Sequence, residues 1–357
     1  MATPTIQLDV DGIEVRLSNP DKVYFPELGL RKRDLAGYVL TVGEGILAGL
    51  WRRPTTLERW PGGVQEGMKL ATRADGRGDA FYQKRAPEKR PDWVDVAEIK
   101  FPSGRKAWAV TPSNLATVVW ALNLGCLRFH PWPVSAPNVD EVDQLRIDLD
   151  PQPGTDFDDV VAAALELRSV MGELGLEGFP KTSGGRGIHV FTKVAPASFV
   201  DARHAAIAIG RELADRMPDK VTVEWWKETR GARVFVDYNQ MARDRLMASP
   251  YSIRPVPQAR VSAPLAWDEV PNVHPDDFTV VTMLERYRQK GDVWRALYES
   301  EPASLTPALD RYRAGIEAGL TDMPYPPEYP KMPGEPPRVQ PSRQTKPDDA
   351  DPTPPTS

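Results

Sequence analysis

Leu145, Ile147 and Leu149 alternate with Arg146, Asp148 and Asp150 in the segment LRIDLDP. A strand with this pattern buries its aliphatic face and sets both carboxylates together on the other. Two acids side by side repel each other, so a positive charge is expected to hold them there, and hard oxygen donors favour a divalent ion. A blander reading stays open, since a D-x-D pair can simply solvate the end of a strand.

The stretch Arg233-Val234-Phe235-Val236-Asp237 alternates again, and the spacing predicts Arg233 and Asp237 on one face of a second strand. Three carboxylates from two strands suit magnesium or manganese better than zinc. Two such ions about 3.5–4 Å apart can clamp both oxygens of a phosphoryl transfer. Between the acids lies Ser183-Gly184-Gly185-Arg186-Gly187. Its glycines can turn successive backbone N–H groups inward as a nest for phosphate oxygens, with Arg186 and Lys181 adding positive charge. The following strand turns His189 away from Ile188 and Val190, where it can donate to a phosphate beside the metals. A glycine turn before a strand is common and usually structural. A metal pair, a nest and a histidine in consecutive elements seldom coincide by chance.

The order D-x-D, then S-G-G-x-G-x-H, then a lone Asp resembles the three motifs of the archaeo-eukaryotic primase superfamily. The nearer resemblance is to the polymerase domain of bacterial ligase D and its stand-alone actinobacterial relatives, over roughly residues 10 to 300. SNPDKVYFP, RPTTLERWPGG, FYQKRAPEKRPDWV, RFHPWP and SPYSIRP read like that family too. The resemblance implies that Asp148, Asp150 and Asp237 hold two Mn2+ or Mg2+ ions. It implies that Ser183, Gly184, Gly185, Arg186, His189 and Arg254 contact the nucleoside triphosphate, with His130 near the incoming nucleotide and Arg233 in the same pocket. Lys22 and Lys32 match lysines that grip a DNA 5′-phosphate at a gap or break. Arg31 stands where these relatives usually carry threonine, and Arg245-Leu246 where many carry Lys-Thr.

The implied fold is α/β (α+β), a two-lobed primase-polymerase module over residues 1–322. Its parts are an N-terminal lobe over about 1–140, an RRM-like catalytic lobe with a mixed sheet over about 141–270, and C-terminal helices over about 275–322. Residues 5 to 17 predict a hairpin around Asp11-Gly12, and Lys32 to Leu50 a helix. Asn114 to Leu124 predicts a buried helix capped by Ser113. Helices are expected over about 158–174 and 202–217, with strands around 221–225 and 233–238. Phe278, Leu284, Tyr287, Trp294, Leu297 and Tyr298 should pack the later helices on the body. Residues 323–357, dense in proline and poor in aliphatics, read as a disordered tail.

Net charge is −5, which alone argues against an acidic partner such as DNA, yet charge can be local. Lys22, Arg31, Lys32 and Arg33 form one basic cluster. Lys84, Arg85, Lys89 and Arg90 form another, interleaved with Phe81, Tyr82 and Trp93, a composition suited to a frayed DNA end. Cys126 is the single cysteine, which excludes an intramolecular disulfide and fits a reducing compartment. Neither an export signal nor a membrane span is read, so a cytoplasmic, nucleoid-associated protein is expected. No GxxxxGK[ST] or strand-linked GxGxxG occurs, which leaves P-loop and dinucleotide folds unsupported. His204 and His274 read as surface or packing residues, Trp108, Trp120, Trp225, Trp226 and Trp267 as core, and Trp132 as a brace for His130.

The function so implied is a DNA-dependent nucleotidyltransferase that adds nucleotides, preferentially ribonucleotides, to a DNA 3′ end and fills short gaps bearing a 5′-phosphate. The pathway would be end joining or excision repair. Two alternatives stay open, a primase that starts chains de novo and a DNA-end binding protein with a vestigial site. The length leaves no room for the ligase and phosphoesterase modules that ligase D can carry, so the chain is expected either to act alone or to recruit a separate ligase and Ku.

Overall fold

The computed structural model describes residues 4–71, 76 and 78–338. Two five-stranded sheets share one continuous hydrophobic core that runs from Val10 to Tyr312. In the first, Thr55–Arg59 is central, with Cys126–Pro131 along one edge and Phe81–Gln83 and the Val96–Lys100/Lys106–Val110 hairpin on the other. The second has the order Phe179–Thr182, Ile188–Ser198, Glu141–Pro151, Val234–Val236, Val221–Thr222. Its neighbours are antiparallel except the last pair, so the sheet is mixed as expected. Helices Phe157–Glu173 and Phe199–Arg216 cover one of its faces, which is why Leu145, Ile147 and Leu149 are buried. The opposite face, with the acids, is left for chemistry.

Local sequence explains most of these elements. Asp11 and Gly12 both adopt positive φ, the geometry of a tight two-residue hairpin turn, between Thr5–Val10 and Ile13–Ser18. Asp156 caps the helix after the D-x-D strand by accepting from the Asp159 amide at 3.0 Å.

Three expectations need correction. Residues 32–50 form two helices, Lys32–Thr41 and Gly43–Leu50. The break falls at Val42, whose φ of −91° and ψ of 16° leave the helical range, and the second helix packs so closely that a Cβ on Gly43 would stand 2.6 Å from Leu115 and one on Gly45 2.4 Å from Tyr251. The helix Leu115–Asn123 is capped by Asn114, which accepts from the Thr117 amide at 2.8 Å, while Ser113 turns to Asp95. Trp108 is 56% exposed rather than core.

The proline-rich segment also departs from the free tail expected from 323, at least through Arg338. Arg203, wholly buried, donates to the Met323 carbonyl at 2.6 Å and lies 3.7 Å over the Tyr325 ring. Asn239 donates to the Pro324 carbonyl at 2.9 Å, and Glu335 accepts from the Tyr325 amide. Buried polar partners and one aromatic thus hold a segment whose hydropathy alone would leave it free. Residues 339–357 lie outside the described residues. No described helix is long and apolar enough to cross a membrane.

Candidate active site

Strand register assembles the acids. Asp148 pairs directly with His189 on the neighbouring strand, and on the other side the Asp237 amide donates to the Asp148 carbonyl at 3.0 Å. His189, Asp148 and Asp237 therefore form a row across three adjacent strands, with Asp150 two residues further along the same face and exposed. His189 Nε2 lies 3.4 Å from Asp148 Oδ1.

The electrostatics of this row call for a cation. Burial, then the charges of Asp237 and Asp150, push the Asp148 carboxyl well above the usual range. Asp237 is raised as well, by burial, with Arg245 opposing. Gln240 lies between them, its amide nitrogen 3.2 Å from both Asp148 Oδ2 and Asp237 Oδ2, while its buried carbonyl oxygen has no partner. Among the described residues no three acidic, imidazole or thiol groups converge closely enough to cage an ion as they stand. The donor set nevertheless fits hard divalent ions, because like charges held by adjacent strands gain most from a shared counter-charge and only oxygens are offered.

The glycine loop backs onto this row. Ser183 Oγ accepts from the Gly185 amide at 3.0 Å and the Gly187 amide at 3.1 Å, so the serine closes the turn from inside. Gly184 has φ +72°, and a Cβ on Gly185 would lie 2.7 Å from Arg254 Nη1. At Gly187 a Cβ would meet the Leu149 carbonyl oxygen at 2.5 Å, a backbone contact that no rotamer relieves. Gly187→Ala should therefore force the loop off the D-x-D strand. We expect it to destabilise by about 1–3 kcal/mol, read as a lower denaturant midpoint at unchanged slope.

A cleft of about 440 Å³ runs over the acids, lined by Arg128, Arg186, Arg254 and Arg260 as well as Ser183 and His189. Acids and guanidinium groups lining one cleft suit a substrate carrying metal ions and phosphates together. Arg128 and Arg260 escaped the sequence reading. Arg128 stands two residues before His130 in RFHPWP on an alternating strand, a signal that was available. Arg260 sits in irregular chain and gave none.

Two expected site residues are elsewhere. His130 is 1% exposed and does not line the cleft. Its Nε2 lies 2.9 Å from Glu58, which also pairs with Arg128 at 3.1 Å, and Tyr82 rather than Trp132 meets its ring edge-on. Burial would raise Glu58, but the His130 hydrogen bond and the Arg128 charge win and hold it at about 2. His130 thus sits behind Arg128. Arg233 turns away, donating to the carbonyls of Arg230 and Thr229 at 2.7 and 2.9 Å, because the strand begins only at Val234. Arg230 takes the place near the acids. It packs 3.4 Å over the Phe235 ring and donates to Gln152, whose amide reaches Asp150. Lys181 is wholly buried beneath His189 and offers no exposed charge to the nest.

Lys22 and Lys32 lie on the first lobe. Lys22 Nζ contacts the Pro61 carbonyl, and Lys32 donates to Ser18 O at 2.9 Å and Asn123 Oδ1 at 2.8 Å. Burial, helped by Lys22, brings Lys32 down to about 8. Arg31 and Arg33 are spent on Asp21, and Lys84 on Asp244. His204 stacks on Tyr312 and His274 caps a short turn, both packing roles.

Fold and site together define a nucleotidyltransferase of the primase-polymerase class, as comparison with known proteins bears out. The family model for the LigD primase-polymerase domain matches residues 31–294. The multifunctional non-homologous end joining protein LigD of Mycolicibacterium smegmatis is 30% identical over 322 residues, 89% of this chain and 40% of that protein. The bifunctional LigD of Bacillus subtilis is 28% identical over 297 residues, 82% of this chain and 46% of that protein. The polymerase domain of Mycobacterium tuberculosis ligase D, solved in complex with DNA, aligns with a TM-score of 0.71 at 28% identity, covering 80% of this chain and 98% of that domain. The chain belongs to the LigD primase-polymerase domain family. It spans less than half the length of these two curated relatives.

Proposed function

We propose that this chain extends a DNA 3′ end from nucleoside triphosphates, preferring ribonucleotides, and fills short gaps that carry a downstream 5′-phosphate. The observation that carries the reading is one cleft lined by His189, Asp148, Asp150 and four arginines, with Asp237 hydrogen-bonded to the Asp148 backbone beside it. Asp148 and Asp150 would hold both of two divalent ions, manganese or magnesium, and Asp237 the one beside the primer 3′-hydroxyl. Bound there, the ions lower the pKa of that hydroxyl and neutralise charge gathering on the α-phosphate. The protein's own share is positioning. Arg254, Arg128 and Arg186 draw the triphosphate into the cleft, the Ser183 hydroxyl, held by the Gly185 and Gly187 amides, meets its oxygens, and His189 donates from the side of Asp148.

Relatives named for end joining support a role at breaks; Ku, a separate ligase and the cytoplasmic nucleoid are the partners and place of action proposed with it. Extension of a labelled primer across a short gap, with and without the downstream 5′-phosphate, tests this reading. Ribonucleotide addition in manganese, stimulated by the phosphate, is the expected result. No addition under any metal, with gap binding retained, would favour an end-binding protein instead.

A further inference from the structure

We propose that Lys181 fixes His189 as the Nε2–H tautomer, so that the imidazole presents a hydrogen-bond donor to the cleft beside Asp148. Lys181 acts as a positioning residue, and the proposal rests on the reading above of His189 as a triphosphate ligand. The two residues are direct cross-strand partners, and the Lys181 side chain is wholly buried. Its Nζ lies 2.7 Å from His189 Nδ1 and 2.5 Å from Ser262 Oγ.

Hydrogen counting, with the Asp148 oxygen on the far side of the ring, gives the direction. Ser262 Oγ donates its one hydrogen to the Thr182 carbonyl at 2.8 Å, so towards Lys181 it can only accept. Lys181 supplies hydrogens to both neighbours, and Nδ1 is the acceptor. A neutral ring then carries its hydrogen on Nε2, facing Asp148 Oδ1. The reverse tautomer would aim the Nε2 lone pair at a carboxylate oxygen, and at any phosphate oxygen entering the cleft. Burial pushes the Lys181 amine well below the usual lysine range, and even uncharged it keeps two hydrogens, one for Ser262 Oγ and one for His189 Nδ1. The strand pairing, the serine and the ring leave Lys181 one orientation. Its hydrogen bond places its effect on the nucleotide through His189, while its charge also bears on Asp148.

The chain has four histidines, which makes the ring nitrogens tractable by long-range 1H–15N correlation on selectively labelled protein free of metal and nucleotide. Wild type should show His189 with a pyrrole-type Nε2 and a pyridine-type Nδ1. Lys181→Met, which keeps length and removes the donors, should give a mixture of tautomers, and Lys181→Gln should restore the wild-type form. In steady-state addition, Lys181→Met should raise the KM for nucleotide about tenfold with a smaller change in kcat. It should add little in a His189→Ala background, because the two residues act as one unit. A wild-type Nδ1–H ring, or a Lys181→Met protein with the wild-type tautomer, overturns the proposal. If Lys181→Met lacks a cooperative thermal transition, the wild-type spectrum and the Gln variant decide it. A correct tautomer beside a His189→Ala enzyme of unchanged KM would instead sink the triphosphate role of His189.

Discussion

Asp148→Asn is expected to abolish nucleotide addition, by about 10³-fold or more, while raising the thermal midpoint of the metal-free protein. The two effects share one cause. Asp148 is half-buried in the middle of the acidic row, its carboxyl pushed well up by desolvation and by Asp237 and Asp150. A carboxyl whose folded pKa exceeds its unfolded value binds protons more tightly when folded, so stability falls as pH rises from the unfolded value of about 3.9 through the folded one. In EDTA at neutral pH the aspartate thus costs stability. The asparagine keeps the volume and can still accept from Gln240. A gain on the order of 2 °C at pH 7.5, fading as the pH is lowered, is the expected outcome by scanning fluorimetry. Added manganese should raise the midpoint of wild type but not of the variant. Retained addition in the pure variant would remove Asp148 from the metal site, and a lower midpoint at neutral pH would remove the electrostatic account of the row.

How much of this was legible in the sequence follows from which contacts are local. Alternation is a property of six residues, and it placed Asp148 and Asp150 on one face because period two leaves no other choice. The same rule failed at Arg233. Gly231 has φ +61°, the strand starts only at Val234, and the guanidinium finds two backbone carbonyls in the turn behind it and a third on Pro218. His130 was found by pattern but misplaced in depth, since only tertiary packing brings Glu58 against it from another strand. Gln240, Arg230 and Arg260 carry no residue-type signal, and their importance comes from what strand pairing sets beside them. The docked segment up to Arg338 shows the same limit. Its composition predicts a free chain, but composition does not register a buried Arg203 waiting for Tyr325 and two carbonyls.

If the proposed function holds, Lys22 and Lys32 divide one task, and their replacement should remove the preference for a 5′-phosphorylated gap, a loss of about 10- to 100-fold in the phosphate-dependent part of binding. Lys22 is exposed and can meet a phosphate directly, while Lys32 is 4% exposed and held by Ser18 and Asn123, so its charge acts from below. Lys22→Ala should therefore lose most of the affinity gained from the phosphate. Lys32→Gln, which keeps a donor for its buried partners, should lose less, but it should lose its pH dependence. Lys32 is brought down to about 8, so in the free protein its charge fades as pH rises through that value. The advantage of a phosphorylated over an unphosphorylated gap, measured by fluorescence anisotropy at fixed ionic strength from pH 6.5 to 9, should fall across pH 8 in wild type and stay flat in Lys32→Gln. Folding moves the other way. A lysine with a depressed folded pKa binds protons more tightly when unfolded, so the DNA-free protein gains stability as pH rises from about 8 towards 10.4. Opposite slopes for stability and for phosphate preference, both cancelled by Lys32→Gln, would separate a charge placed for binding from one placed for folding. A phosphate preference that survives both substitutions would move the 5′-phosphate contact to another surface.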